Sequence, residues 1–248
     1  MEDPHRAQGA GATKDCRRVV GTACGRRWCR GRGVVTQIAT FFYTGRMYFD
    51  EKAFQWDTPH VLERSAVQAR LLREHWGERD LETALEFGCG TGTVTYALGD
   101  CAARFIGYDT SENMLEVYRS KAPSERYTTV SSLAEIPAAS LDVVFTSMVL
   151  HHVENVRETL ATLAEKLRPG GLLSVLDLDA GSESFHHGVD VQVFHHGFAR
   201  EEFAKLLQEL GFTVLKFETA YEGVKVREDG TENPYRTFLI TAEKGAAA

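Results

Sequence analysis

The stretch Leu85-Glu86-Phe87-Gly88-Cys89-Gly90-Thr91-Gly92 decides how the rest of the chain is read. It is approached by the short apolar run Thr83-Ala84-Leu85. It is followed by Val94, Tyr96, Ala97 and Leu98, spaced as on a helix. The reading is strand, glycine turn, helix N-terminus. Glycines suit such a turn because they accept positive φ and let a ligand come close to the backbone. The N–H groups that open the helix lack intrahelical partners and can hold a polar ligand. Glu86 lies inside the apolar approach, where a buried carboxylate needs a partner.

Outward from this turn the pattern alternates. A second strand, Arg104–Asp109, ends in an acid about 20 residues further on, the place at which ribose hydroxyls are held in nucleotide-binding sheets. Ser111 is placed to cap a helix carrying Met114, Leu115 and Tyr118, and Pro123 ends it. Tyr127–Val130 and Leu141–Phe145 read as strands three and four, Val153–Leu167 as a helix broken by Pro169-Gly170-Gly171, and Leu172–Leu178 as a buried fifth strand. Arg200–Leu210 is a helix closed by Gly211, and Phe212–Thr219 and Thr237–Ala242 are the last strands. Upstream, Thr58-Pro59 offers an N-cap and a proline at the first helical position, and Gly77 stops that helix. Repeated βα units imply a parallel sheet covered on both faces. Two final strands without a helix between them imply an antiparallel hairpin. The expectation is an α/β, Rossmann-like, seven-stranded, mostly parallel sheet with an antiparallel C-terminal strand.

From about Tyr48 to Lys244 the chain resembles the class I S-adenosylmethionine-dependent methyltransferases, in their small-molecule branch. Their first motif is an acid followed by Gly-x-Gly-x-Gly, matched by Glu86 to Gly92; a dinucleotide fingerprint would want Gly-x-Gly-x-x-Gly, with its third glycine one residue later. The resemblance implies S-adenosylmethionine as cofactor and S-adenosylhomocysteine as product. It places Glu86, Gly88, Cys89, Gly90, Thr91 and Gly92 around the cofactor, Asp109 on the ribose, and Thr110 and Met114 beside the adenine. Where the family has an acid that accepts from the adenine amino group, counting back from Pro137 finds Ser132. The N–H of Leu133 is a further contact to the ring. Ser147 joins the cofactor set at the end of strand four. The segment Tyr48–Asp57, with Trp56, corresponds to a lid over the cofactor.

The run Leu150-His151-His152 matches the family's Leu-His-His, whose first histidine lies near the transferred methyl. Phe194-His195-His196-Gly197-Phe198 would hang over the same pocket. His151 is expected to be catalytic and His195 to bind the acceptor or act as base, since imidazole titrates near neutral pH. Together with His186-His187 there are three His-His pairs, but the acid partners and fixed spacing of a known metal site are missing, so no metal is expected. The expected reaction is methyl transfer to a small-molecule oxygen, nitrogen or sulfur acceptor. The rivals are a cofactor-binding protein without catalysis, to which Ser132 points, a nicotinamide-dependent oxidoreductase, and an RNA or protein methyltransferase.

The last rival would use residues 1–46, which hold nine Lys and Arg against three acids. This glycine-rich arm has little apolar surface to bury and is expected to be disordered, with residues 47–244 forming the domain and 245–248 a tail. Removing the arm's +6 from the chain's −7 leaves −13, which disfavours nucleic acid as a partner of the domain. No apolar run approaches the roughly 20 residues of a membrane span. Five cysteines, an odd number, without a secretory signal fit a reducing, cytoplasmic setting. An Arg-rich arm could instead be a mitochondrial transit peptide, although it has no serine. Cys16, Cys24 and Cys29 lack a Cys-x-x-Cys pair, so they are not read as a zinc site. The sequence leaves the acceptor and the oligomeric state open.

Overall fold

The computed structural model describes residues 48–227 and 229–246. The expectations for the basic arm 1–46 lie outside them. A short helical segment, 48–52, and a 3-10 turn, Ala53–Gln55, precede the first long helix, α1, Pro59–Trp76. The Thr58 hydroxyl accepts from the Val61 N–H, Pro59 occupies the first turn, and Gly77 at φ 64° closes the helix, as the sequence predicts. The strands are β1 Thr83–Phe87, β2 Arg104–Tyr108, β3 Tyr127–Val130, β4 Leu141–Ser147, β5 Leu167–Leu178, β6 Phe212–Val226 and β7 Glu232–Lys244. Between them lie α2 Thr93–Leu98, α3 Glu112–Lys121, α4 Val156–Lys166 and α5 Arg200–Glu209.

The seven strands form one sheet of order β3-β2-β1-β4-β5-β7-β6. Strands β1 to β5 are parallel, and β7 runs antiparallel between β5 and β6. The near-continuous apolar strands follow from burial on both faces. Successive residues face opposite ways, so Ala84, Val143 and Leu172 pack on one side under α1, α2 and α3, with Leu72, Trp76, Leu98 and Tyr118. Leu85, Val144 and Leu173 pack on the other under α4 and α5, with Leu160, Leu163, Phe203 and Leu207.

Three boundaries differ from expectation. β5 begins at Leu167, ahead of Pro169-Gly170-Gly171, because a register shift between Leu141 and Val143 lets Leu167 pair and bury before the turn. α4 begins at Val156, where Asn155 accepts from the Glu158 N–H; Leu150–His152 is instead a separate 3-10 turn. β6 and β7 run longer than the apolar pattern suggested, since the outer part of β6 is an edge with one solvated face. No helix among the described residues is long and apolar enough to cross a membrane.

Candidate functional site

The glycine turn is fixed by the strand next to it. The N–H groups of Gly88 and Cys89 both donate to the Tyr108 carbonyl, at 2.8 and 2.9 Å, and the Gly90 N–H donates to Asp109 Oδ2 at 2.8 Å. The three glycines have φ of 72°, 50° and 81°, a region that disfavours side chains. Their surroundings differ. A Cβ on Gly88 would lie 2.3 Å from Val149, and one on Gly92 would lie 2.6 Å from Tyr118 and Tyr96. A Cβ on Gly90 would meet only the Met114 sulfur, at 3.9 Å. Gly90 therefore faces open space, whereas Gly92 is needed for packing.

That open space is a cavity of about 800 Å³ at the carboxyl ends of β1, β2 and β4. Its walls bring together Glu86, Gly88, Cys89, Gly90, Asp109, Thr110, Met114, Leu133 and Ser147 from the expected cofactor set. Thr91, Gly92 and Ser132 lie outside the lining. Thr91 is buried and its hydroxyl donates to Asp57 at 2.5 Å, while Gly92 sits among tyrosines. The Ser132 hydroxyl accepts from the Ala134 N–H, and its own N–H donates to Glu135, a reciprocal cap on the turn Leu133–Glu135. The hydroxyl is thus already engaged by the backbone, and Leu133 is the residue of this turn that reaches the cavity.

The acids in the site are unusual. Burial pushes the Glu86 carboxyl up to about 8, against the pull of a hydrogen bond donated by the Thr95 hydroxyl. Burial also raises Asp109, opposed by the N–H groups of Ser111 and Gly90 that it accepts. Asp109 thus holds the glycine turn and the start of α3 together. Burial drives the Cys89 thiol well above its ordinary value, so it is no nucleophile at neutral pH.

The segment 48–57 closes the cavity. Asp50 accepts from the Ser111 hydroxyl at 2.5 Å and Asp57 accepts from Lys121 at 2.5 Å, clamping both ends of the segment to α3. Phe49 and Trp56, with ring centroids 5.7 Å apart, both face the cavity. Sequence reasoning did not find the contribution of α1, where Arg64, Ser65 and Gln68 line the opposite wall. Gln68 Oε1 accepts from Ser147 while its buried Nε2 has no partner among the described residues. The available signal was three polar residues on the buried side of an amphipathic helix. Nor did it find Met148, held at φ 60° where β4 ends, with its side chain on the cavity.

The histidines fall differently from expectation. His195 donates to or accepts nothing in the cavity; its Nε2 lies 2.9 Å from the Val153 carbonyl. The carbonyl can only accept, so that nitrogen carries the proton. His151 is buried, with Nδ1 2.5 Å from Asp177, and reaches only a second cavity of about 340 Å³. His152 lines both cavities, and its Nδ1 lies 2.5 Å from the Gln192 carbonyl. His186 joins them, its ring centroid 4.9 Å from that of His151 and 5.1 Å from that of His152. Burial, reinforced by the neighbouring imidazoles, lowers His152 to about 4 and His186 to about 2. Both are neutral at physiological pH. The acid partner that the spacing did not reveal is Asp177.

This sheet order, with a glycine turn after β1 and an acid after β2, is the architecture of the class I methyltransferases. Residues 85–175 match the family model described as a methyltransferase domain. This match and the methyltransferase relatives support a class I S-adenosylmethionine-dependent methyltransferase, a family whose cofactor is S-adenosylmethionine. It is similar to an uncharacterized methyltransferase of Schizosaccharomyces pombe, 32% identical over 162 residues, covering 58% of this chain and 57% of that protein. The chain spans about half the length of the curated relatives it matches. Among solved structures it resembles a putative methyltransferase complexed with the Haloferax volcanii Trm112 methyltransferase activator, with TM-score 0.71, 16% identity, and coverage of 82% of this chain and 99% of that one. It also resembles the Burkholderia thailandensis 1,6-didemethyltoxoflavin-N1-methyltransferase bound to its substrate and S-adenosylhomocysteine, with TM-score 0.61, 18% identity, and coverage of 88% and 93%. At these identities the structures show a shared fold.

Proposed function

We propose that the protein transfers a methyl group from S-adenosylmethionine to a small-molecule acceptor held in the second cavity. The observation that carries this reading is the junction of the two cavities. The larger and the smaller share Phe49, Trp56, Val61, Arg64, Met148 and His152, so a ligand in one is adjacent to a ligand in the other. The smaller, at about 340 Å³, has the size of a site for a compact metabolite. The residues fit the cofactor: Gly90 leaves room against the backbone, Asp109 lines the cavity after β2 where it would take the ribose, and Gln68 Nε2 is a buried donor with no partner among the described residues.

When bound, S-adenosylmethionine supplies a methyl group activated by its sulfonium charge. The protein's own part is to orient and to exclude water. Gly88 to Gly90 and Asp109 form one wall, and the clamped Phe49–Trp56 segment roofs it. His152 lines both cavities, and we assign it rather than His151 or His195 to the passage between cofactor and acceptor. Calorimetry with S-adenosylhomocysteine on the full chain, followed by a turnover screen over oxygen, nitrogen and sulfur acceptors, tests the reading. Binding with turnover of at least one small acceptor is expected. No binding of S-adenosylhomocysteine to the folded protein would refute it.

A further inference from the structure

We propose that His151, His152 and His186 form a binding site for one divalent transition-metal ion of the zinc type. One ring nitrogen from each of the three lies within 4.8 Å of the others, and the rings pack as close as 4.1 Å between centroids. Three imidazoles on one zinc have nitrogens about 3.3 Å apart, from Zn–N bonds of about 2.0–2.1 Å in a tetrahedron. Modest side-chain rotation closes that gap. The histidines come from two separate segments, the turn Leu150–His152 and the turn Glu183–His186, so chain proximity alone does not explain their meeting.

The surroundings of the rings favour a site over simple stacking. His151 Nδ1 is 2.5 Å from Asp177 Oδ1, and the other oxygen of Asp177 accepts from the Leu150 N–H at 2.8 Å. His152 Nδ1 is 2.5 Å from the Gln192 carbonyl, which can only accept. Each Nδ1 is therefore the nitrogen held by the protein, which makes Nε2 of each of these two rings the candidate ligand atom. A carboxylate or carbonyl behind the far nitrogen is the usual way in which a metal-binding imidazole is oriented and made more basic. Asp177 lies in the buried, mainly apolar part of β5 and is itself fully buried, a costly placement that these two hydrogen bonds help to offset.

All three histidines line the second cavity, so the remaining coordination position would open there. Three protein ligands with one open position is the pattern of a site that takes a substrate atom rather than a closed structural one. The inference rests on the proposed methyl transfer and narrows its acceptor to a molecule carrying a hydroxyl, thiol or carboxylate that can ligate the ion.

The test uses the full chain, stripped with chelator and then titrated with Zn²⁺ and Co²⁺. Because other cysteines and histidines can hold metal, the readout is the difference between wild type and His186→Gln, with His152→Gln as a second variant. Folding is checked by circular dichroism. Wild type is expected to bind one more ion per chain than either variant and to show the intense visible bands of four-coordinate Co²⁺. Asp177→Asn is expected to weaken Zn²⁺ by about 10–100-fold with S-adenosylhomocysteine affinity unchanged. Equal ion counts in wild type and in both folded variants would overturn the site. S-adenosylhomocysteine binding to the stripped wild type, measured alongside, separates this failure from failure of the methyl-transfer reading.

Discussion

Replacing Glu86 by Gln isolates the energetics of the carboxyl at the heart of the glycine turn. In the folded protein burial lifts this group from 4.5 to about 8, so it is mostly neutral at pH 7. Unfolded, it ionises near its ordinary value. Between those two pH values the native state binds more protons than the unfolded state, and stability falls as pH rises. The stabilising contribution is complete below about pH 4.5 and is lost by the time the pH passes about 8. At about 1.4 kcal/mol for each pKa unit, the whole loss is about 4–5 kcal/mol, a large part of a domain's net stability. Glutamine is close in shape to the neutral acid, can accept the Thr95 hydrogen bond through its amide oxygen, and does not titrate. Urea unfolding of both proteins without cofactor, from pH 5 to pH 9, gives the comparison. The difference between them removes contributions from Asp109 and other groups. The variant is expected to match wild type near pH 5 and to exceed it by several kcal/mol near pH 9, with equal m-values. Parallel pH profiles would show that Glu86 is ionised in the folded protein and that burial does not control it.

Gly90→Val should weaken S-adenosylhomocysteine at least tenfold in calorimetry while far-ultraviolet circular dichroism is kept, since the added side chain enters the larger cavity. Gly92→Ala should show the opposite pattern. Its Cβ meets Tyr118 and Tyr96 at 2.6 Å, so the melting temperature should fall, by about 1–3 kcal/mol of stability, with cofactor affinity per folded molecule retained. Asp109→Ala should weaken the cofactor by about 1.5–3 kcal/mol and also lower the melting temperature, because the N–H groups of Gly90 and Ser111 lose their acceptor. An unchanged melting temperature would show that water replaces the carboxylate at both donors.

The sheet was legible because its information is local. Apolar runs, glycine punctuation and the Thr58-Pro59 cap each report on their own neighbourhood, and the structure keeps most of them, although Pro169-Gly170-Gly171 lies within β5. The turn around Glu86 to Gly90 was legible for the same reason. What escaped was long-range. The partner of Thr91 is Asp57, and that of Ser111 is Asp50, more than 30 and 60 residues away. Ser132 stands at the position counted from Pro137, yet its hydroxyl serves its own turn, a choice that spacing does not show. Asp177 is more instructive. A carboxylate inside an apolar run singled out Glu86, and the same reasoning on Leu172–Leu178 would have singled out Asp177. It would have supplied the acid whose absence argued against a metal among the histidines.

The place of β7 in the sheet bears on how the protein is made. β5 forms its outer ladder with β7, and residues 178 and 232 are separated by α5 and all of β6. On a ribosome, β1 to β5 emerge with their parallel partners available, but the outer edge of β5 stays bare until residues 232–244 appear. That edge is Leu172–Leu178, an apolar strand of the kind that pairs with other nascent chains. Synthesis that stalls in β6 is therefore expected to leave that edge of β5 open to other chains, because the strand that covers it is the last of the sheet to be translated.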